Sequence, residues 1–275
     1  MTIRLACQTY TWQMSGQYVG KLDHILSVLN KSGFQGVEPE TQFLGALAKP
    51  SAMKAALEAA GLELAAVCLV EDWLQANETS AERERADACL SFMQNFPDAL
   101  LNLCQMPTTR PEGADDLRER QSNLLTCVDT ISRRFHDAGI VVGYHPNSPD
   151  ASIFRTAEDY DLLLSELDEA VVGWIPDVGH MARAGLDPLD WIQRHRPLVR
   201  HLHYKDMDAD GNWREMGDGC IDFRGITRYL VETSFEGWIV VEDECDRAIP
   251  QPDEVTLDDW TWLERELMPL LEPSP

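Results

Sequence analysis

Short apolar segments alternate with amphipathic segments along almost the whole of this 275-residue chain. Each apolar segment has the length of a buried strand, and each amphipathic segment has the periodicity of a helix with one face in a core. The predicted strands cover residues 3–8, 36–39, 62–69, 100–104, 140–145, 171–177, 199–205 and 238–242. Strands that alternate with helices in this way indicate the α/β class and a parallel sheet.

The number of strand–helix pairs then narrows the architecture. Eight pairs in about 250 residues match the count and size of a (β/α)8 TIM barrel. A doubly wound open sheet is the alternative, but the turn after the first strand, residues 8–12, reads QTYTW and has no GxGxxG fingerprint. No linker or low-complexity stretch divides the chain. We therefore predict one TIM-barrel domain over residues 1–275 and no dinucleotide site.

Charge and cysteine content exclude several classes of partner. The chain has 23 basic and 47 acidic residues, and its net charge of −24 repels both nucleic acid and anionic membranes. Its start has neither a basic segment nor a long apolar run, so we expect no signal peptide and no transmembrane helix. The seven scattered cysteines lack CxxC spacing and are expected to be buried free thiols. These features predict a cytoplasmic protein.

Polar residues stand at the carboxyl ends of several predicted strands, where barrel enzymes place their catalytic groups. These residues are Glu38, His145, Asn147, Asp177, His180, His203, Lys205 and Glu242. An imidazole or a carboxylate at the end of one strand is often only structural. On four consecutive strands such groups indicate a site, because burying them unpaired costs a few kcal/mol each. Oxygen and nitrogen donors together suit one divalent ion, Mn, Co, Zn or Mg.

Three further residues are candidates for substrate binding, together with Glu38 and Asn147. Trp12 follows the first strand and can stack on a sugar ring, with core packing as the alternative. Arg155 and Arg214 are cations within reach of an anionic substrate group. The acidic run at 242–246, EDECD, repels phosphate, so we expect a neutral sugar or polyol as the small-molecule partner.

Four segments of the second half carry a family resemblance: PDVGH at 176–180, HLHYKD at 201–206, GDGCIDF at 217–223 and GWIVVE at 237–242. With CQTYTW at 7–12 and GVE at 36–38, they resemble the xylose-isomerase-like TIM barrels. These are the sugar phosphate isomerase/epimerase proteins, and the chain looks most similar to their inosose dehydratase branch. The resemblance implies one divalent metal held by Asp177, His203 and Glu242. It also implies that His180 lies near the substrate oxygens, with Lys205 as a cationic substrate contact.

The chain departs from this family at the fifth strand, where epimerases place a Glu that is both ligand and base. In the dehydratase-like pattern a Glu precedes the next helix, and Arg155 stands there in this sequence. The fourth ligand is therefore His145, Asn147 or water. Because two matched glutamate bases are not evident, we favour elimination from a keto-sugar or keto-cyclitol through an enediolate over epimerisation. His145 or Glu242 would act as base, and His180 or Lys205 would protonate a leaving oxygen.

Other functions fit the sequence less well. Abasic-site endonucleases of the endonuclease IV type share the fold but need more ligands and a surface that accepts DNA. The metal-binding subunit of a C-glycoside-cleaving lyase is an alternative and would need a partner chain. A non-catalytic sugar-binding barrel is another. The oligomeric state is left open, with a homo-oligomer as one alternative.

Overall fold

The structure is a computed structural model that describes residues 3–271. These residues form two compact units. Unit 1 comprises the described residues of Met1–Ala65 and His201–Pro275, and unit 2 comprises Ala66–Arg200. That the whole chain is one domain stays a prediction.

Unit 1 is a five-stranded parallel sheet with helices after its strands. Its strands are β1 (Ile3–Gln8), β2 (Gly36–Glu38), β3 (Glu63–Leu64), β8 (Leu202–Tyr204) and β11 (Gly237–Val241), and a short antiparallel pair joins β9 (Asp206–Met207) to β10 (Trp213–Arg214). Its helices are α1 (Tyr10–Gln13), α2 (Leu22–Ser32), α3 (Pro50–Ala60), α9 (Phe223–Glu232), α10 (Pro252–Glu266) and α11 (Met268–Leu271). The strand order is β3-β2-β1-β11-β8, and every neighbouring pair is parallel.

Unit 2 repeats this plan with four parallel strands in chain order. The strands are β4 (Ala66–Glu71), β5 (Leu100–Gln105), β6 (Val142–His145) and β7 (Gly173–Trp174). The helices are α4 (Ser80–Met93), α5 (Ala114–His136), α6 (Ala157–Glu166), α7 (Val178–Arg183) and α8 (Pro188–Arg194). Leu101, Leu103 and Tyr144 from the central strands are almost fully buried, as expected for a sheet covered by helices.

The breaker residues of the sequence end the helices where they are predicted to do so. Gly33 follows α2 with φ 115°, and Gly61 follows α3 with φ 63°. Both angles lie in the left-handed region that favours glycine, so each helix stops and the chain turns into the next strand. The predicted strand at 62–69 is divided at Ala65 into β3 and β4, and within 171–177 only Gly173–Trp174 is strand.

The cysteines agree with the prediction at six positions out of seven. All seven are free, and six of them are buried. The prediction was wrong for Cys220, which is exposed because it lies in the loop between β10 and α9 rather than in an apolar strand. Among residues 3–271, none of the helices combines the length and the apolar character needed to cross a membrane.

Two carboxyl groups share a buried position in unit 1. Asp243 follows β11 and Asp259 lies on α10, and their side chains hydrogen bond to each other. Burial and mutual repulsion raise the pKa of Asp259 well above its ordinary value, and burial raises the pKa of Asp243 to about 6. The folded chain therefore holds a proton here that the unfolded chain releases above about pH 4.

Asp259→Asn is expected to stabilise the fold at alkaline but not at acidic pH. Asn keeps the oxygen that accepts the backbone N–H of Met216 and supplies N–H donors to Asp243 without a charge. Since the native state binds more protons than the unfolded state, wild-type stability falls as the pH rises through about 6. The free energy of unfolding in urea should rise by about 1–3 kcal/mol at pH 8 and change little at pH 4.5. Asp258→Asn, at an exposed neighbour, is the control, and an equal gain at both pH values would contradict this account.

Candidate active site

The side chains in and around strand β8 alternate between two faces of the sheet. His201 and His203 both reach the carboxylate of Glu38 on β2. Tyr204 points the other way, and its hydroxyl lies 3.0 Å from the hydroxyl of Thr227 on α9. This alternation follows from the two-residue period of a strand. It places the imidazoles of β8 on a different face from the helix that covers the strand.

The carboxylate of Glu38 joins the two imidazoles. His201 Nε2 lies 2.8 Å from Glu38 Oε2, and His203 Nε2 lies 3.1 Å from Glu38 Oε1. All three residues are buried. His203 also lies against a second carboxylate, because its Nδ1 is 2.9 Å from Oε2 of Glu242, directly after β11. His203 is therefore held between two acidic residues.

This arrangement shifts the ionisation of both partners. Burial alone would raise the pKa of Glu38, but the charge of His203 and the hydrogen bonds from His201 and His203 hold that pKa well below its usual range. Burial alone would lower the pKa of His203, but the charge of Glu38 and the hydrogen bonds to both carboxylates raise that pKa to about 10. Opposite charges in close contact outweigh desolvation here. Contact with two carboxylates thus favours the protonated form of His203 in the absence of a metal.

Lys205 lies at the same end of β8. Its ammonium Nζ is 3.4 Å from Glu242 Oε1, and it also forms an ion pair with Glu244. The side chain is almost fully buried, and the ring of Trp213 lies 5.3 Å from the ammonium. A buried ammonium held by carboxylates can donate a proton or a hydrogen bond to a substrate oxygen.

Glu40 is a further acidic residue that sequence reasoning did not single out. It is buried two residues beyond Glu38, and Gln42 donates a 2.6 Å hydrogen bond to its Oε2. Burial raises the pKa of Glu40 to about 7, and the nearby charges of Glu242 and Glu38 add to this shift. His201 and Glu244 were missed in the same way. The only sequence signal was their spacing of two residues from His203 and Glu242, which marks a shared face and not a role.

Unit 2 brings together three of the predicted residues. His145, the last residue of β6, places its Nε2 3.5 Å from Asp177 Oδ2. Asp177 also caps α7, because its Oδ1 accepts a 2.8 Å hydrogen bond from the backbone N–H of His180. The imidazole Nδ1 of His180 lies 2.8 Å from the hydroxyl of Ser148. All four residues are buried. One carboxylate oxygen of Asp177 therefore has a structural role as the helix cap, while the other faces the imidazole of His145.

The candidates for substrate binding lie in four different surroundings. Trp12 is fully buried and donates its indole N–H to Asp253 over 2.7 Å, which is the core packing that the sequence allowed as the alternative. Asn147 donates to the backbone carbonyl of Gln105 over 2.8 Å. Arg155 pairs with Asp150, and Arg214 pairs with Asp208. Arg155 is partly exposed in the loop before α6, and Arg214 is the exposed last residue of β10.

The donor atoms in both units fit a divalent cation. In unit 1, Glu38, His201 and His203 each offer one ligand atom, and these atoms lie within 4.8 Å of one another. In unit 2, His145 and Asp177 offer a nitrogen and an oxygen 3.5 Å apart. Buried mixtures of carboxylate and imidazole are typical of Mn, Co, Zn and Mg sites.

Comparison with known proteins supports the fold and relates the chain to proteins that are named as enzymes. The model of the xylose isomerase-like TIM barrel family matches residues 26–266. An inosose dehydratase of Clostridium beijerinckii is 31% identical over 172 residues, which are 56% of this chain and 57% of that relative. An inosose dehydratase of Geobacillus kaustophilus is 26% identical over 258 residues, which are 84% of this chain and 82% of that relative. The first match thus spans little more than half of the relative's length.

A solved structure extends the comparison to the whole fold. The crystal structure of the IolI protein with a zinc atom superposes with a TM-score of 0.75 at 13% identity, and the match covers 98% of each chain. Together with the family match, this similarity confirms the predicted (β/α)8 TIM barrel. The curated relatives are named as enzymes, which agrees with the prediction that this chain is one.

Glu38→Ala is expected to destabilise the metal-free protein strongly. The substitution leaves His201 and His203 buried without the carboxylate that both contact, and removing one partner of a buried ion pair costs about 3–5 kcal/mol. Urea unfolding at pH 7 measures the change. Glu63→Ala, at a largely exposed ion pair with Arg4, is the control and should change stability by at most about 1 kcal/mol. Equal losses of unfolding free energy in the two variants would show that the Glu38 contacts stabilise the fold no more than an exposed ion pair does.

Proposed function

The chain belongs to the xylose isomerase-like TIM barrel family, and on that basis we propose that it is a divalent-metal-dependent enzyme of keto-cyclitols or keto-sugars. Its favoured reaction is loss of water from the substrate, and isomerisation or epimerisation is the alternative outcome of the same chemistry. The observation that carries the proposal is the set of buried imidazoles and carboxylates at the carboxyl ends of the parallel strands in each unit. Such groups are costly to bury unless they are paired or hydrogen bonded. Buried titratable groups with shifted pKa values are also concentrated at functional sites.

The proposed metal ligands are Asp177, His203 and Glu242, with His145 as the fourth. Their chemistry supports this choice within each unit: His203 contacts Glu242 in unit 1, and His145 faces Asp177 in unit 2. The zinc atom in the IolI structure, which has the same fold, also favours a metal. Whether Mn, Co, Zn or Mg is the physiological ion is a matter for measurement.

The proposed substrate class follows from the relatives and from charge. Both curated relatives are inosose dehydratases, and an inosose is a ketone of a cyclic polyol. Glu242, Asp243, Glu244 and Asp246 surround the end of β11 with acidic groups, which favour a neutral polyol over a phosphorylated one. The hydroxyl groups of such a substrate can accept hydrogen bonds from Lys205 and His180.

The reaction begins with removal of a proton from the carbon next to the ketone. A divalent ion supplies positive charge that makes this proton more acidic. The base is Glu242 or His145, and His145 can act as base only with a ring nitrogen that is not a ligand. In the dehydration, the electrons of the broken C–H bond form the new C=C bond while the β C–O bond breaks. The departing hydroxide takes a proton from His180 or Lys205 and leaves as water.

The outcome depends on whether a second base faces the substrate. The resemblance implies that an epimerase of this family carries a glutamate base on its fifth strand, and the corresponding segment of this chain, GYHPN at 143–147, contains no glutamate. This difference favours dehydration over symmetrical epimerisation.

The proposal is tested by incubating the metal-loaded protein with 2-keto-myo-inositol in D₂O and following the reaction by proton NMR. Wild type should exchange the proton beside the ketone and form an unsaturated ketone. His180→Asn should lower kcat about 10²- to 10⁴-fold, as expected for loss of a general acid. His24→Asn, at an exposed histidine on α2, is the matched control and should retain wild-type turnover.

The negative outcomes separate the alternatives. No exchange with cyclitol ketones or ketohexoses, under loading with any of the four metals, would contradict the proposal. Sugar binding without exchange would favour a non-catalytic binding protein. Activity that appears only with a co-purifying second chain would favour the C-glycoside-cleaving lyase subunit.

A further inference from the structure

We infer that Glu38 is a positioning residue for the metal ligand His203, and that Glu38 and His201 together fix which ring nitrogen of His203 faces the ion. The inference rests on the proposed function, because it concerns the metal that function requires. It replaces the sequence-based expectation that Glu38 contacts substrate. Metal-bound histidines commonly donate their second ring N–H to a carboxylate in this way.

The first step is the direction of the hydrogen bond. Glu38 is fully buried, and each of its carboxylate oxygens lies within hydrogen-bond distance of an imidazole nitrogen, so its carboxylate is the acceptor of both contacts. The His203 Nε2 to Glu38 Oε1 distance of 3.1 Å is that of an N–H···O hydrogen bond. His203 Nε2 must therefore carry the hydrogen. In a neutral imidazole this leaves the lone pair on Nδ1.

The second step is where Nδ1 points. It lies 2.9 Å from Oε2 of Glu242, one of the proposed ligands. In the metal-free protein Nδ1 donates to this carboxylate, and in the neutral, metal-bound imidazole its lone pair would face the ion that it would share with Glu242. The opposite tautomer would place a lone pair against the anion of Glu38 and an N–H against the metal.

The third step is the role of His201. Its Nε2 lies 2.8 Å from the other oxygen of Glu38, so each carboxylate oxygen has an imidazole partner. Rotation of the carboxylate would break both contacts. The backbone is equally constrained, because β2 pairs with β1 and β3 and the Glu38 carbonyl accepts a hydrogen bond from Thr9 N–H. Glu38 therefore offers His203 an acceptor in one fixed position.

The same three residues allow a competing interpretation, since their donor atoms lie close enough to hold an ion themselves. A second ion there would need Nε2 of His203 without its hydrogen. It would also raise the metal content from one to two ions per chain. Stoichiometry therefore distinguishes a positioning pair from a second metal site.

The test compares wild type, Glu38→Gln and Glu63→Gln. Elemental analysis gives the number of ions, competition with a chelating dye gives the Zn²⁺ affinity, and long-range ¹H–¹⁵N spectra of the zinc-loaded protein give the protonated nitrogen of His203. We expect one ion in wild type with the hydrogen on Nε2, and a zinc affinity about 10- to 100-fold weaker in Glu38→Gln. Glu63→Gln removes a largely exposed carboxyl that pairs with Arg4, and it should retain wild-type affinity.

A second variant keeps the test decisive if Glu38→Gln fails to fold. His201→Phe retains the size of the ring but removes the donor to Glu38, and we expect zinc affinity to fall at least about threefold. An unchanged affinity in a folded His201→Phe protein would overturn the pairing of His201 with Glu38.

The remaining outcomes separate the two proposals. A wild type that binds no ion defeats the proposed function itself. If wild type binds one ion and Glu38→Gln keeps its zinc affinity, only the positioning role is wrong. A raised KM of Glu38→Gln as the sole change would then favour a contact of Glu38 with substrate. Two ions in wild type, or equal weakening by Glu38→Gln and Glu63→Gln, also overturn the positioning role.

Discussion

The contact of His203 with two carboxylates is the constraint on which the rest of unit 1 depends. A buried imidazole between Glu38 and Glu242 is stable only if the three strands that carry them hold a fixed register. That register is visible in the sheet, where His203 is paired with Val240 and β1 separates β11 from β2. Parallel strands bring their carboxyl ends to one edge, so side chains from distant parts of the sequence lie within a few ångströms of one another.

The same constraint explains the electrostatic character of the site. Lys205 and His203 supply positive charge, and Glu38, Glu242 and Glu244 surround them with negative charge. Without a metal, protons on these cations balance part of the negative charge. A bound divalent ion would balance the negative charge of the carboxylates in place of some of these protons, while the ligands and proton donors keep their positions. The site is therefore suited to binding a cation and to moving protons at a neutral substrate, and is poorly suited to a phosphate.

Much of the fold, and the polar residues at the ends of its strands, could be predicted because the signals are local. Strand β1 is observed at the predicted residues 3–8, and polar residues stand at the carboxyl ends of strands, as expected. The pairing of Glu38 with His201 could not be predicted, since 163 residues separate them and only the sheet order brings them together. The burial of Trp12 and the raised pKa of Glu40 likewise depend on packing by distant segments. Cys220 was misjudged because exposure in a loop leaves no periodic signal.

The central claim is the proposal that the chain binds one divalent ion, with Asp177 and His203 among its ligands. Elemental analysis of protein purified without chelator, for wild type, Asp177→Ala and His203→Ala, tests it most directly. The account predicts close to one ion of Mn, Co, Zn or Mg per wild-type chain and its loss in each folded variant. A wild type that stays empty after reloading, or variants that both keep the ion, would contradict it.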